Sequence, residues 1–248
     1  MALATLFFNR LALSNLILAR GDTFLYFYPY WHAAATALRA GRVPLWNPDI
    51  FMGAPFLANS QAGFFYPLNW PLWLLLPAPY AVSATIVLHI VIAGAGAYLA
   101  GRRTLALARP AALFGAALFA LGGYLTAQVE HVNQLQGLAW LPWLFLAVGG
   151  VKRKGTTDYT DFTDYQSAKS VESVKSVVAS SLGPCLAIGV LFALQLLAGH
   201  TQTAFISGVA VGVWLLSDLR GLSRPLRSMR GLLVMVGGVA LAVGLAAV

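Results

Sequence analysis

Long apolar stretches separated by short polar segments fill the sequence from residue 80 onward. Their lengths and spacing predict six helices, near 80–100, 111–129, 135–151, 182–199, 202–218 and 231–248. Several of these stretches approach the about 20 residues that an α-helix needs to cross the hydrocarbon core of a bilayer. The pattern therefore predicts an all-α fold, a polytopic bundle of transmembrane helices.

Residues 21–79 follow a different pattern, with many aromatic residues, several prolines and few charges. Within this segment, residues 23–40 predict a helix that stops at Gly41 and lies along the membrane surface. Pro29 is either a first-turn proline of this helix or a kink in it.

The remainder of this segment is too irregular for a long helix. Proline, glycine and asparagine recur over residues 44–67 and predict turns, and residues 70–76 are too short to span a bilayer. Trp and Tyr side chains concentrate in the headgroup layer. We therefore expect residues 21–79 to form a large extracytoplasmic, interfacial loop between the first two spans.

Both ends of the sequence are apolar. Residues 1–8 lack the basic start of a secretory signal, and we interpret them as the end of a first span. The last predicted span reaches Val248 without a polar tail. We therefore expect residues 1–248 to form a single membrane domain that is a fragment of a longer protein.

Residues 155–181 are polar and of low complexity. They contain a Thr-Asp-aromatic near-repeat followed by a Ser-Val-Lys near-repeat. Such composition is typical of segments without a packed core. We expect a disordered cytosolic insert here.

Composition supports the membrane class. Hydrophobic residues make up 59% of the chain and charged residues 10%, with a mean hydropathy of +0.74. Soluble domains carry about 25% charged residues, so this chain has too little polar surface for a soluble globule. The single cysteine, Cys185, excludes an intrachain disulfide.

The net charge of +8 points to the lipid bilayer as partner rather than to nucleic acid, because Lys and Arg orient membrane helices. They follow alternate predicted spans, in three clusters: Arg102, Arg103 and Arg109; Lys152, Arg153 and Lys154; Arg220, Arg224, Arg227 and Arg230. The positive-inside rule assigns these clusters to the cytoplasmic side. Residues 21–79, 130–134 and 200–202 then lie on the extracytoplasmic side of a multi-pass protein in the cell membrane.

Few ionisable residues fall on that predicted outer side: Asp22, His32, Arg39, Arg42, Asp49, Glu130, His131 and His200. Two roles are open for Asp22. As a general base it would take a proton from an acceptor hydroxyl, and as an N-cap it would satisfy free N–H groups of the following helix. Spacing alone favours the cap, and the two roles are compatible.

The histidines have structural interpretations as well. Glu130 and His131 stand where a span ends, so a plain helix end is as good an interpretation as catalysis. His200 follows Gly199 in a turn, where a helix C-terminus stabilises positive charge. His89 lies within a span and is interpreted as a hydrogen-bonded packing residue. No spacing predicts a metal site, phosphate loop or nucleophile elbow, so no metal site or cofactor is expected, although metal dependence stays open.

The motif GDTFLYFYPYWHAA, followed by LRAGRVPLWNPDIFMGAPFLANSQAGFFYPLNW, resembles the N-terminal signature of the bacterial YfhO family of membrane proteins. LHIVIAGAGAYL, HVNQLQGLAWLPW and LQLLAGHTQTA extend the resemblance in the same order. It covers nearly the whole chain except residues 155–181. YfhO-like proteins resemble the GT-C class of glycosyltransferases, which have many membrane helices, an acidic residue in the first extracytoplasmic loop and a polyprenyl-phosphate sugar as donor.

The resemblance implies a membrane glycosyltransferase that uses a polyprenyl-phosphate-linked sugar to modify a cell-envelope polymer or lipid acceptor on the extracytoplasmic side. It matches Asp22 to the catalytic carboxylate and so favours the base over the cap. Arg39 or Arg42 would neutralise the phosphate leaving group. Substrate-binding candidates are Arg39, Arg42, Glu130, His131, Asn133 and His200. The C-terminal half of such proteins has no counterpart here, so activity of this fragment alone stays open.

Two non-catalytic functions are alternatives. A transporter or flippase for lipid-linked intermediates would need ionisable groups near the membrane midplane and an internal repeat. The polar groups predicted here gather at one surface instead, which argues against transport. An assembly partner for cell-envelope enzymes stays open.

Overall fold

The computed structural model describes residues 17–18, 21–157, 171–217 and 225–246, of which 151–157, 171–181, 216–217 and 225–232 are described by their backbone alone. Helices make up nearly all of its secondary structure, which confirms the all-α fold. The ten α-helices of the described residues are α1 Tyr28–Arg39, α2 Asn69–Leu75, α3 Ala78–Arg103, α4 Arg109–Ala120, α5 Gly123–Ala127, α6 Val132–Leu138, α7 Leu141–Thr157, α8 Val171–Leu197, α9 Thr201–Ser217 and α10 Pro225–Ala246.

The helix predicted over residues 23–40 is present. It begins with a π-helical segment, Thr23–Phe27, that continues directly into α1. Pro29 is the second residue of α1, directly after the π-helical segment. The N-cap interpretation of Asp22 is wrong, because Asp22 itself has helical backbone angles (φ −64°, ψ −24°) and its side chain makes no capping hydrogen bond.

The turn-rich part of the loop contains one small hairpin. Strands β1 Trp46–Asn47 and β2 Ala54–Pro55 pair antiparallel, with Trp46 opposite Pro55. A 3₁₀ turn, Ser60–Ala62, then leads to α2, which packs against α1 and α3. Residues 70–76, which are too short to span a bilayer, therefore pack against two helices of the bundle.

Two predicted spans are interrupted in the structure. The span predicted at 111–129 breaks after α4, because Gly122 adopts an extended conformation (ψ 156°); the chain then forms α5 and a 3₁₀ turn, Gln128–Glu130. The span predicted at 135–151 is divided between α6 and α7. Pro142, in the first turn of α7, has no N–H to continue the hydrogen-bond ladder from α6.

The helices alternate in direction along the bundle. Helix α3 runs away from the loop and ends at Arg102 and Arg103, and α4 returns from Arg109. Helix α7 runs beside α3 in the same direction, since the Trp143 indole N–H donates to the Ile92 carbonyl (2.9 Å) and Gly149 lies against Thr104. The arginines at the end of α3 and at the start of α4 therefore lie at the end of the bundle opposite Glu130.

Two of the described helical segments are long and apolar enough to cross a membrane: Ala78–Arg103 and Arg109–Glu130, the latter comprising α4, α5 and the 3₁₀ turn. In the apolar window of Arg109–Glu130 only 17% of the residues are buried. A core helix of a soluble protein would be mostly covered by the rest of the fold. Further apolar segments lie within α8, α9 and α10, at Leu182–Leu197, Thr201–Leu215 and Leu233–Ala246.

The disordered insert predicted over 155–181 differs from the structure at both of its ends. Helix α7 continues through Thr157, and α8 starts at Val171, so both ends extend the flanking helices. Residues 158–170 lie outside the described residues, as does the predicted end of a first span at residues 1–8.

A buried chain of hydrogen bonds joins the loop to the helices. The Trp140 indole N–H donates to the Tyr66 hydroxyl (2.9 Å), which lies 2.7 Å from His89 Nε2. His89 Nδ1 lies 2.7 Å from the Thr85 carbonyl. A carbonyl can only accept, so Nδ1 carries the proton and Nε2 accepts from Tyr66. His89 is thus a hydrogen-bonded packing residue, as predicted.

A second branch of this network runs through Gln136 of α6. Its amide donates to Asn69 Oδ1 (2.6 Å) and to Thr85 Oγ1 (3.1 Å), and the Asn69 amide donates to the Gly63 carbonyl (3.0 Å). All of these side chains are buried. The loop is therefore held by polar groups that satisfy one another, as buried polar groups must.

We predict that Tyr66→Phe destabilises the fold. The change removes one hydroxyl and leaves both the Trp140 N–H and His89 Nε2 without their partner, so the free energy of unfolding should fall by about 1–3 kcal/mol. Thermal unfolding in detergent measures this. The control is Tyr124→Phe, which changes an exposed hydroxyl and should leave the midpoint nearly unchanged; equal midpoints for the two variants would contradict the role of the network.

Candidate functional site

Three segments that are distant in sequence meet at the loop end of the bundle. They are the start of the π-helical segment at Asp22, the turn between α5 and α6 at Glu130 and His131, and the turn between α8 and α9 at Gly199 and His200. The sequence analysis assigned these segments to the same side. The contacts below show that they form one cluster.

Asp22 and His131 form the centre of the cluster. His131 Nε2 lies 3.5 Å from Asp22 Oδ2, and the two side chains are 45% and 58% exposed. The Asp22 side chain makes no capping hydrogen bond. His131 itself has non-helical backbone angles (φ −109°, ψ 72°) and lies between the 3₁₀ turn and α6. A carboxylate and an imidazole are therefore paired at a surface that a substrate can reach.

The start of the helix is tied directly to the Glu130 turn. Gly21 has a left-handed φ of +51°, and a Cβ added there would collide with the Glu130 carboxylate. One residue beyond Asp22, the Thr23 hydroxyl donates to the Val129 carbonyl (3.3 Å). These contacts fix the position of the Asp22 backbone relative to His131.

The turn between α8 and α9 completes the cluster. His200 Nδ1 lies 2.7 Å from Thr203 Oγ1. Burial lowers the pKa of His200 from its ordinary value, and the neighbouring His131 lowers it further. The two imidazoles are therefore close enough to sense each other's charge.

Gly199 and Asn133 position that turn. Gly199 has a φ of +87°, and a Cβ there would lie 2.0 Å from the Ser60 carbonyl oxygen, so the loop packs directly on the turn and leaves room for glycine alone. The buried Asn133 amide lies 3.5 Å from the Gly199 carbonyl. Asn133 thus supports the turn and is not one of the exposed groups.

Sequence reasoning missed one aromatic residue beside the site. Tyr26 stacks on Tyr30 with ring centroids 4.4 Å apart. Burial raises the pKa of Tyr26, and the nearby Tyr30 and Asp22 act in the same direction. The signal was available, since Tyr26 follows Asp22 by four residues and i,i+4 positions share a helix face.

The structure does not bring Arg39 and Arg42, two of the predicted substrate-binding residues, to this cluster. The π-helical segment has 5 residues and α1 has 12, which places Arg39 roughly 25 Å from Asp22 at about 1.5 Å per residue. The Arg39 guanidinium donates instead to the carbonyls of Trp73 (2.8 Å) and Leu76 (3.0 Å), at the C-terminus of α2. Arg42 lies beyond that same end of α1. Neither can neutralise a leaving group that reacts next to Asp22.

Comparison with models of known families, with curated proteins and with solved structures finds no match to this chain. Function is therefore argued from the residues. Within the described part of the chain, no group of three or more His, Cys, Asp and Glu side chains is arranged to hold a metal ion.

We predict that His131→Gln raises the pKa of His200. The substitution removes the positive charge that His131 carries when protonated, whereas the burial of His200 remains. The pKa should therefore move up toward the ordinary value of about 6.5 without reaching it. An NMR titration of labelled histidine in detergent micelles measures this, and an unchanged or lower pKa would show that the two imidazoles do not interact.

Proposed function

We propose that this protein is a membrane glycosyltransferase in which Asp22 is the general base, with a polyprenyl-phosphate-linked sugar as donor and a cell-envelope polymer or lipid as acceptor. The observation that carries the proposal is the contact between Asp22 and His131 at 3.5 Å. It pairs an accessible carboxylate with an imidazole at the end of an apolar helical bundle. The sequence resemblance to the YfhO family adds the substrate class.

The proposed placement is a polytopic bundle in the cell membrane, with the loop of residues 21–79 on the extracytoplasmic side. Support comes from the apolar, sparsely covered Arg109–Glu130 segment and from the separation of charges. Asp22 and His131 lie at one end of the helices, while Arg102 and Arg103 lie at the other end of α3. Arginine is favoured on the cytoplasmic side.

The reaction would proceed in one displacement. Asp22 takes the proton from the acceptor hydroxyl, and the acceptor oxygen forms a bond to the anomeric carbon of the sugar. The bond between that carbon and the phosphate oxygen breaks, and its electron pair leaves with the polyprenyl phosphate. His131 holds the Asp22 carboxylate in position while the proton is transferred.

The charge on the departing phosphate needs a partner near Asp22. Among the described residues, the cationic candidates at this end are His131 and His200, since Arg39 and Arg42 lie at the far end of α1. The lowered pKa of His200 keeps that imidazole neutral in the free protein. An arriving phosphate would favour its protonated form, since an opposite charge nearby stabilises the charged state.

The structure supports a transport function less well than it supports glycosyl transfer. A transport site would need polar groups open to a substrate between the helices. Among the described residues, Thr85, His89 and Gln136 are buried between the helices and are hydrogen-bonded to one another and to the loop. Gln195 is buried there as well, and its amide donates to the Gly137 carbonyl and to Ser207 Oγ (2.9 Å each). Because most of these groups already have partners within the protein, the arrangement favours glycosyl transfer over transport.

We predict that Asp22→Asn lowers sugar transfer by about 10²–10⁴-fold, because an amide cannot accept the proton. The assay follows radiolabelled sugar from a polyprenyl-phosphate donor into polymer or lipid in membranes that contain the protein. Membrane insertion and thermal stability should match those of the unchanged protein.

The matched control for this test is Asp49→Asn. Asp49 is also an exposed carboxylate of the loop, but it lies on the hairpin and should leave transfer intact. Transfer retained in Asp22→Asn would remove Asp22 from the mechanism, and labelled donor that only changes leaflet would support a flippase.

A further inference from the structure

The hairpin of the loop ends in a turn that points two apolar side chains outward. Phe51 and Met52 both have a left-handed backbone (φ 53° and 59°), and Gly53 follows at φ 110°. Residues with a side chain rarely adopt this conformation. Phe51 is nonetheless 81% exposed and Met52 is fully exposed.

Other residues of the hairpin stabilise this turn, and the side chains at its tip do not. The Trp46 indole lies directly over Gly53, where an added Cβ would meet it at 2.7 Å. The Gly53 N–H donates to the Ile50 carbonyl (2.8 Å), and Asn47 Oδ1 accepts from the Asp49 N–H (3.1 Å). These contacts fix the conformation of the strained turn, in which Phe51 and Met52 are exposed at the tip.

The base of the hairpin continues the same apolar surface. Val43 and Leu45 are exposed there, directly after the exposed Arg42. Arg39 connects this end of α1 to α2, where Leu74 and Leu75 are also exposed. Two residues after Leu75 the chain reaches Pro77, the N-cap of the apolar helix α3, so α2 leads directly into a candidate membrane span.

We propose that this hairpin, residues 43–55, is a membrane anchor that inserts Phe51 and Met52 into the headgroup–acyl boundary of the bilayer. Arg42 at its base and Asp49 within it are both exposed and carry opposite charges, so the proposed attraction to the bilayer comes from burial of the apolar tip and not from charge. The anchor would hold the far end of α1 against the lipid surface, while Asp22 stands at the other end. The proposal rests on the proposed membrane placement and not on sugar transfer.

The test places one thiol-reactive, environment-sensitive fluorophore at a time on a Cys185→Ala protein in nanodiscs. The reporter position is Met52→Cys. Leu118→Cys, on the exposed face of α4, reports the lipid environment, and Gln61→Cys, on the exposed 3₁₀ turn, reports water. The nanodiscs contain anionic phosphatidylglycerol with either ordinary or brominated acyl chains, and bromine quenches only a fluorophore that contacts the chains.

We expect brominated lipid to quench the labels at positions 52 and 118 and to leave the label at 61 unchanged. Quenching at 118 without quenching at 52 would overturn the anchor while leaving the membrane placement intact. A blue-shifted label at 52 that bromine does not quench would assign the tip to a protein partner or a second copy instead, and would also overturn the proposal. Absence of quenching at both positions would overturn the anchor together with the membrane placement.

Discussion

The structure depends on the hydrogen-bond chain that passes from Trp140 through Tyr66 to His89. It attaches an aromatic loop, which has little regular structure of its own, to α3 and to the link between α6 and α7. Around it the loop lies so close to the α8–α9 turn that only glycine fits at position 199. The site follows from this attachment, because the same packing brings His200 toward His131.

Charge and burial divide the polar groups into two sets. The buried set, with His89 and Gln136 at its centre, carries hydrogen bonds between neutral groups, since an unpaired charge in an apolar interior is costly. The charged set lies at the ends of the helices, where water or headgroups reach it. Asp22 and His131 belong to this second set, and their exposure makes them available for chemistry.

The sequence predicted the helices well, because apolar stretches of 15 to 20 residues leave few alternatives. It missed the breaks at Gly122 and before Pro142, since a long apolar pattern masks a local interruption. Asp22 shows a second limit of prediction from the sequence. The cap prediction used the position of Asp22 before a predicted helix start, whereas the structure gives Asp22 helical backbone angles and places its carboxylate next to His131. Arg39 likewise donates to carbonyls at the C-terminus of α2, a helix that tertiary packing brings close to the end of α1.

The central claim is that the Asp22 site and the arginine end of α3 face opposite sides of a membrane. Single cysteines at positions 22 and 103, each in a Cys185→Ala protein, can be labelled with a membrane-impermeant maleimide in sealed vesicles of both orientations. We predict that position 22 is labelled only from the outer side and position 103 only from the cytoplasmic side. Labelling of both positions from the same side would contradict the account.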